Sequence, residues 1–405
     1  MKYLLVALLC WIPGRTTPSP GNPAPGTVQT VGPGAIEVGA ARLETYLPLL
    51  ENKRVAILTN QTAIVGDTHL VDTLLARHVH IVKIFGPEHG FRGDADAGAS
   101  VGNARDPQTG IPVISLYGKH NKPTPEELRD VDVMVYDIQD VGTRFYTYIN
   151  SMQRFMEAAA ENHKPFIILD RPDPNGFYVD GPVLEPAYHS GVGMQAIPVV
   201  YGMTIGEYAR MLIGEHWLSN PSLKPDLTVI PCARYTHDSL YTLPVRPSPN
   251  LPDMASVYLY PSLCLFEGTA LSVGRGTAYP FQLFGHPSLP DSLYAFTPKG
   301  TPGATHPKLE GQLCHGRLVA TEAADALKKV DRRLQLHWVI DAYRLFPDKD
   351  KFFISYFNKL AGTGDLETQI RNGWSEQKIR QSWEPALSRF KAIRKKYLLY
   401  PDFSH

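Results

Sequence analysis

Short apolar runs alternate with helix-like patterns through the first half of the chain. Runs rich in Val, Ile and Leu that end at polar or turn residues predict strands, and segments with apolar residues every three or four positions predict helices. The predicted strands are 54–59, 81–85, 113–116, 131–136 and 166–169, and the predicted helices are 41–50, 68–77 and 146–162. This alternation is typical of an α/β fold in which helices cover a parallel sheet.

The second half has a more mixed pattern. A helix is predicted over 205–218, where Thr204 and Glu207 have the spacing of a capping box. The segment PSLKP at 221–225 indicates a boundary, and a strand at 227–230 and a proline-rich stretch at 243–253 follow it. The closing helices are predicted near 320–330, 340–346 and 375–397, the last broken near Pro385. We expect domains at 35–222 and 223–405, the second being a mixed α/β domain whose loops close a cleft over the first.

The first 34 residues have the pattern of an export signal followed by a linker. Lys2 precedes an apolar run at 3–12, which is too short to span a bilayer of about 30 Å but fits the core of a signal peptide. Cys10 is a candidate for lipidation, although Leu9 stands where a bacterial lipobox has a small residue. We therefore expect an exported protein that is periplasmic or anchored to the envelope.

Composition excludes several classes of function. The 405 residues include 40 Lys and Arg and 40 Asp and Glu, so net charge gives no reason to expect nucleic acid as a partner. The content of hydrophobic residues, 43%, is that of a globular protein. Cys232, Cys264 and Cys314 cannot all pair and lack a metal-binding CxxC spacing, so we expect them to be core residues. No glycine-rich phosphate loop follows a predicted strand, which argues against NAD and ATP.

Polar residues follow four of the predicted strands. The segments are 59–62 (TNQT), 86–94 (GPEHGFRGD), 137–144 (DIQDVGTR) and 170–175 (DRPDPN). Ligands of open α/β sheets bind at the carboxyl ends of the strands. Helix caps and turns easily explain one polar segment of this kind, but less easily four. The pattern therefore favours a binding site at the edge of the sheet where the carboxyl ends of the strands lie.

These segments together resemble the NamZ-type exo-β-N-acetylmuramidases. The matching motifs are 59–62 (TNQT), 85–90 (FGPEHG), 136–142 (YDIQDVG), 170–172 (DRP), 266–269 (FEGT), 272–277 (SVGRGT) and 396–400 (KYLLY). The resemblance implies a Rossmann-like domain, an auxiliary domain and a cleft between them. It also implies an enzyme that releases N-acetylmuramic acid from the non-reducing end of peptidoglycan fragments. We expect muropeptides or disaccharides as substrates, and no metal or cofactor. Asp173 is a departure, since Asn is commoner there in the family.

Glycoside hydrolysis needs a protonated acid at the leaving oxygen and usually a second carboxylate. Glu88, held between Pro87 and glycines, is the candidate acid, and the alternative is a loop carboxylate paired with His89 or Arg92. His89 is a candidate to orient Glu88 or to bind a sugar hydroxyl, and a structural role is equally open.

The second carboxylate has two candidates. Asp137 and Asp140 follow one strand, and each fits either a base or nucleophile or a turn cap. An N-acetyl sugar offers a third route, because its own acetamido oxygen can attack while a carboxylate polarises the amide.

Substrate binding requires groups for the lactyl carboxylate and the sugar. A guanidinium suits the carboxylate, and Arg275, flanked by glycines that would let a ligand approach, is preferred over Arg171, which has Asp170 as a structural partner. Arg92 and Arg144 also lie in the motifs, Asn60 is a candidate for the sugar amide or hydroxyls, and Glu267 fits a sugar contact or an inter-domain salt bridge. Tyr136, Phe145 and Tyr146 are candidates for a stacking wall or for the core.

Two other functions compete with this interpretation. Glu88, His89, Asp94, Asp96, Asp137 and Asp140 are potential ligands for a metal-dependent hydrolase of the cell envelope, but no paired-histidine spacing accompanies them. A non-catalytic lipoprotein that binds cell-wall sugars is the other alternative, and it would retain muropeptides without releasing free sugar.

Overall fold

The computed structural model describes residues 34–88, 90–91 and 104–404. The predicted export signal, the linker and Cys10 lie outside these residues. His89, Arg92, Asp94 and Asp96 also lie outside them.

A seven-stranded sheet organises the first half. The strands of this half are β1 (Arg54–Thr59), β2 (Ile64–Val65), β3 (Thr68–His69), β4 (His80–Gly86), β5 (Ala104–Arg105), β6 (Pro112–Ser115), β7 (Val133–Asp137), β8 (Phe166–Leu169) and β9 (Leu227–Ile230). The sheet order is β5-β6-β4-β1-β7-β8-β9, and all pairs are parallel except β5 with β6. The predicted parallel α/β sheet is confirmed.

Helices bury both faces of this sheet. They are α1 (Leu43–Leu50), α2 (Leu70–Leu75), α3 (Tyr148–Glu161) and α4 (Ile205–Gly214). Alternate residues of each central strand face opposite sides, so Val133 and Val135 of β7 pack with the core under α1 and α2, while Met134 and Tyr136 pack with the core under α3 and α4. This alternation decides which residues at the strand ends reach the site.

The second half adds a small antiparallel sheet and mainly short helices. The sheet, in the order β10-β12-β11, contains β10 (Leu283–His286), β11 (Tyr294–Phe296) and β12 (Cys314–Leu318). The helices are α5 (Met254–Leu263), α6 (Ala323–Val330), α7 (His337–Leu345), α8 (Lys349–Phe352), α9 (Tyr356–Ala361), α10 (Asp365–Arg371) and α11 (Glu376–Arg394). The 3₁₀ turns are Gly39–Ala41, Pro186–Tyr188 and Cys264–Gly268. The large core under α3 and α4 continues into this half, so the two halves share a hydrophobic interior.

Three predicted boundaries need correction. Residues 68–69 form β3, paired with β2, so the helix predicted over 68–77 is confined to α2. The boundary predicted after residue 222 would cut β9 away from β8, with which it pairs along its length, so the first domain extends beyond it. Helix α11 runs unbroken through Pro385 because this residue lies on the exposed face, where water can satisfy the carbonyl that proline leaves without a donor.

Two further findings concern the cysteines and the length of the helices. The cysteines Cys232, Cys264 and Cys314 are buried and free of disulfides, as expected of core residues. In the described part of the chain, no helix combines the length and the apolar character needed to cross a bilayer.

Candidate active site

A cavity of about 500 Å³ lies between the two halves of the chain. Its size is typical of small-ligand sites. Glu88, Tyr117 and residues 145–148 line it from the first half, and Glu267 and Arg275 line it from the second. The cleft predicted between the two domains is therefore present.

A tight turn after β4 holds Glu88 at this cavity. The Gly90 amide donates to the Pro87 carbonyl at 2.9 Å, and Gly90 has a φ of +76°, which a residue with a side chain rarely adopts. Thr147 Oγ1 donates to Glu88 Oε2 at 3.4 Å, and the Tyr148 hydroxyl lies 3.5 Å from the Glu88 carbonyl oxygen. Burial, and next the Glu88 carboxylate, raise the pKa of Tyr117 to about 12. Glu88 thus lies among three hydroxyl groups at the wall of the cavity.

Aromatic rings form much of the remaining wall. Three pairs of rings pack edge to face. Their centroids lie 5.6 Å apart for Phe145 and Tyr260, 4.9 Å apart for Tyr146 and Tyr148, and 4.9 Å apart for Tyr260 and Phe281. Phe145 and Tyr146 line the cavity. Tyr136 does not, since its ring is buried under α3. Rings of this kind provide the apolar surface on which a sugar can stack.

Glu267 and Arg275, which line the cavity from the second half of the chain, form a salt bridge. Arg275 Nε lies 2.7 Å from Glu267 Oε1, and the guanidinium lies 4.8 Å from the centroid of the Phe281 ring. Burial acts to lower the pKa of Arg275, but the Glu267 carboxylate outweighs it and the pKa lies above its ordinary value. Both residues belong to the second half of the chain, so the predicted alternative of an inter-domain salt bridge is wrong for this pair.

The glycines beside Arg275 serve the protein backbone and not a ligand. Gly274 and Gly276 have φ values of +80° and +78°. A Cβ atom would lie 2.7 Å from the Tyr279 carbonyl oxygen at the first and 2.3 Å from the Lys299 carbonyl oxygen at the second. These glycines therefore allow a tight turn packed against other loops.

Asp137 and Arg171 bind each other away from the cavity. Arg171 Nε and Nη2 donate to the two Asp137 carboxylate oxygens at 2.5 and 2.9 Å, and both side chains are almost completely buried. Asp137 continues the alternation of Val133 and Val135, so it faces the side covered by α1 and α2. The structure thus does not bring either residue to the cavity, and Arg171 pairs with Asp137 and not with Asp170.

Asp140 is buried behind the cavity wall. Its Oδ2 accepts hydrogen bonds from the Gly142 amide at 2.8 Å and from the Tyr201 hydroxyl. Its Oδ1 has no hydrogen-bond donor among the described residues. Burial raises the pKa of this carboxyl to about 7. Asp140 therefore does not line the cavity, although it is a titratable group near its floor.

The DRP and KYLLY motifs meet each other at the end of β8. Asp170 Oδ2 accepts from Thr204 Oγ1 at 2.7 Å and from the Tyr400 hydroxyl at 2.6 Å. The Glu207 carboxylate accepts from the Leu399 amide at 2.8 Å. These contacts fasten the end of the chain to the capping box of α4, so both motifs have a structural role here.

Arg144 is fully buried away from the cavity. Its Nη1 donates to the carbonyls of Pro182 and Ile197 at 2.9 and 2.7 Å, and its Nη2 donates to those of Leu360 and Ala361 at 2.8 Å each. Burial lowers its pKa to about 9. The guanidinium thus joins the two halves and is not available to a substrate.

Asn60 is also buried below the site. Its Oδ1 accepts from the Thr62 amide and hydroxyl at 3.0 and 2.6 Å, and the Thr62 hydroxyl accepts from the Gln139 amide at 2.9 Å. Asn60 therefore ties the loops after β1 and β7 together, and its side chain lies beside Tyr148 and not in the cavity.

Sequence reasoning did not identify several residues of the cavity. Tyr117, Arg154, Tyr260 and Tyr356 line it. Only Arg154 carried a signal, as a charged residue on the helix that begins at Tyr148, but the motifs drew attention elsewhere. The others come from loops and helices that pattern alone does not bring together.

Of the six candidate metal ligands, Glu88, Asp137 and Asp140 lie among the described residues. Within residues 34–88, 90–91 and 104–404, His, Cys, Asp and Glu side chains do not gather in groups of three suited to a metal ion. Glu88 lies at the cavity, whereas Asp137 is held by Arg171.

Comparison with known proteins places this geometry in a family. Sequence models of the N-terminal and C-terminal parts of the exo-β-N-acetylmuramidase NamZ match residues 55–255 and 258–400. The peptidoglycan β-N-acetylmuramidase NamZ of Bacillus subtilis is 42% identical over 385 residues, covering 88% of this chain and 89% of that protein.

Solved structures agree with this match. One DUF1343 family protein of Bacteroides fragilis has 47% identity and a TM-score of 0.84, covering 91% of this chain and 99% of its own. A second from the same organism has 34% identity and a TM-score of 0.75, covering 90% and 99%. The chain therefore belongs, in both of its halves, to the NamZ exo-β-N-acetylmuramidase family.

Proposed function

We propose that this protein is an exo-acting glycoside hydrolase that releases N-acetylmuramic acid from the non-reducing end of peptidoglycan fragments. The observation that carries the proposal is the cavity between the two halves, which Glu88 lines from the first half and Glu267 from the second. The match to the Bacillus subtilis enzyme over most of both chains supports the same substrate class. Muropeptides and disaccharides that end in N-acetylmuramic acid are the expected substrates.

Glu88 is the general acid of this proposal. A glycosidase acid must reach the oxygen between two sugars, and Glu88 lines the cavity on a turn fixed by Gly90. Thr147 donates to its carboxylate and positions it.

Glu267 is the second carboxylate of this proposal, in place of Asp137 and Asp140. Among the described residues that line the cavity, Glu88 and Glu267 are the carboxylates. Tyr356 lines the same cavity, and burial above all, with smaller contributions from the Glu267 and Glu88 carboxylates, raises the pKa of its hydroxyl. Arg275 orients the Glu267 carboxylate, leaving it to activate water or to polarise the acetamido group of the sugar.

The first prediction concerns Glu88→Gln. Loss of the acidic proton is expected to reduce kcat by about 10²–10⁴-fold on a chromogenic N-acetylmuramic acid β-glycoside, because this is the usual contribution of general acid catalysis. Binding of N-acetylmuramic acid, measured by calorimetry, and the melting temperature are expected to stay close to those of the wild type. The matched control is Glu126→Gln at an exposed position. Wild-type turnover in Glu88→Gln would remove Glu88 from the mechanism.

We also propose that the protein is exported to the cell envelope. Lys2 and the apolar run at 3–12 support this, and the proposed substrate is found there. The processed protein is expected to fractionate with the periplasm or envelope. If Cys10 is lipidated, Cys10→Ala is expected to release the protein from membranes. Soluble cytoplasmic protein that retains Met1 on N-terminal sequencing would contradict export.

A further inference from the structure

Two arginines in the described part of the chain line the cavity, and they differ in their partners. Arg275 is paired with Glu267. Arg154, on α3, has neither a hydrogen bond nor an ion pair through its guanidinium to any described residue. An arginine without an anionic partner at the wall of a ligand site is available to an anionic ligand.

The neighbouring carboxylate does not neutralise Arg154 because it is engaged elsewhere. Glu157 lies one turn further along α3 and is buried. Its Oε1 accepts from Gln153 Nε2 at 2.9 Å and from the Ser219 amide at 2.8 Å, and its Oε2 lies 3.9 Å from Lys122 Nζ. Glu157 attracts the Arg154 charge without forming a contact with it.

Arg154 lies on the same helical stripe as the group that contacts the proposed acid. Thr147, Ser151 and Arg154 follow one another at helical spacing, and all three line the cavity. Thr147 donates to Glu88, and Arg154 lies about 10 Å further along the helix axis at 1.5 Å per residue. Side chains on a helix lean toward its N-terminus, which is the end at which Thr147 contacts Glu88. The stripe therefore spans a distance on the scale of a sugar ring with its substituent.

Partial burial makes this guanidinium a favourable partner for an anion. Burial lowers the pKa of Arg154, and Glu157 offsets only part of this effect. A carboxylate that binds there would recover the lost solvation of the guanidinium through two parallel hydrogen bonds. Neutral sugars do not carry such a group, whereas N-acetylmuramic acid carries its lactyl carboxylate on the ring whose glycosidic bond is cleaved.

We propose that Arg154 binds the lactyl carboxylate of N-acetylmuramic acid and so distinguishes it from N-acetylglucosamine. This inference rests on the proposed function. It replaces the expectation that Arg275 binds the lactyl carboxylate, because Arg275 already forms a salt bridge with Glu267. It also replaces Arg144 and Arg171, which are buried in structural contacts.

The test compares three chromogenic β-glycosides: N-acetylmuramic acid, its lactyl methyl amide and N-acetylglucosamine. In Arg154→Ala, kcat/KM on the first is expected to fall about 10- to 100-fold, the usual effect of losing a hydrogen bond to a charged group. Activity on the two neutral substrates is expected to change little. The ratio of kcat/KM for the acid substrate to kcat/KM for its amide is therefore expected to fall toward one. Arg154→Lys is expected to recover part of the ratio because it keeps the charge but not the planar fork. Exposed Arg129→Ala is the matched control.

The outcomes separate this inference from the proposed function. An unchanged ratio in a folded Arg154→Ala that still cleaves the acid substrate would overturn the role of Arg154 alone, and so would a ratio that closes only in Arg92→Ala. A wild type that cleaves none of the glycosides would overturn the proposed function. In that case, calorimetry of free N-acetylmuramic acid with wild type and Arg154→Ala decides the role of Arg154, since equal affinities, or no binding to either protein, would overturn it.

Discussion

Asp140 and Asp173 are two buried carboxyl groups that lie close together without a cationic partner in contact. Asp173 packs against the Gly142 backbone, whose amide donates to Asp140. One oxygen of each, Asp140 Oδ1 and Asp173 Oδ2, has no hydrogen-bond donor among the described residues. Burial, and next the Asp140 carboxylate, hold the pKa of Asp173 well above its ordinary value. The pair is therefore most stable when it is protonated.

This pair predicts a stability that depends on pH. Folding raises the pKa of both carboxyls, so the folded state binds their protons more tightly than the unfolded state does. The resulting stability is present below the ordinary pKa of about 4 and is lost as the pH rises toward the folded pKa, which for Asp140 is about 7. Asp173→Asn keeps the shape of the side chain and removes one charge.

The expected result is that Asp173→Asn increases the free energy of unfolding at pH 8 by about 1–3 kcal/mol and changes it little at pH 4. Urea denaturation across this pH range measures the effect, with exposed Asp291→Asn as the control. A variant that is less stable than wild type at pH 8 would show that the Asp173 carboxylate is needed in its ionised form.

At the same scale, sequence position identified only some residues of the site. Glu88 follows β4 and reaches the cavity, but Asp137 ends β7 and faces the other side of the sheet. Alternation along β7 places Asp137, whereas Glu88 lies beyond the end of β4 in the turn closed by the Gly90 amide and the Pro87 carbonyl. The sequence alone left the direction of this turn open. Arg154 was missed because the sequence suggests Glu157, one helical turn away, as its ion-pair partner. Glu157 instead accepts a hydrogen bond from the Ser219 amide, a contact between residues distant in sequence.

At the scale of elements, the boundaries predicted for β1, β8 and β9 agree with the structure. The buried strands β1 and β8 are followed by the polar residues Asn60 and Asp170, and the partly exposed β9 is followed by Pro231. The small sheet of the second half was missed. Its strands β10 and β12 contain Gly and His in place of a continuous apolar run, and they are fixed by pairing across about 30 residues.

Helix α11 shows the same dependence on context. Proline normally interrupts a helix, and the sequence alone predicts a break at Pro385. Packing of Trp383, Leu387 and Phe390 on the buried face holds the helix on both sides of the proline. Tertiary contacts therefore outweigh the local preference.

At the scale of the whole molecule, the two halves are joined by buried polar contacts as well as by their shared core. Tyr400, near the end of the chain, donates a hydrogen bond to Asp170, which follows β8. Arg144, in the loop after β7, donates to the carbonyls of Leu360 and Ala361 at the carboxyl end of α9. The cavity lies between halves that are fastened in this way, so Glu88 and Glu267 keep a fixed relation. Contacts of this length leave no pattern in the sequence, which is why Arg144 was expected at the substrate.

The last prediction distinguishes those two roles for Arg144. Arg144→Met keeps an apolar stem but removes a donor from four buried carbonyl groups, of which only that of Ile197 keeps another backbone donor among the described residues, the Leu184 amide at 3.0 Å. Each unsatisfied buried group costs about 1–3 kcal/mol, so with relaxation we expect a loss of at least about 3 kcal/mol in the free energy of unfolding. Denaturant unfolding measures this loss, and Arg144→Lys is expected to be intermediate because an ammonium group cannot reach all four carbonyls. Below the melting temperature of the variant, KM for the N-acetylmuramic acid glycoside is expected to stay within about twofold of wild type, because the shared core and the Tyr400–Asp170 hydrogen bond still join the two halves. A large rise in KM with unchanged stability would instead assign Arg144 to substrate binding, and the cavity would then have to open further toward α9 than the structure describes.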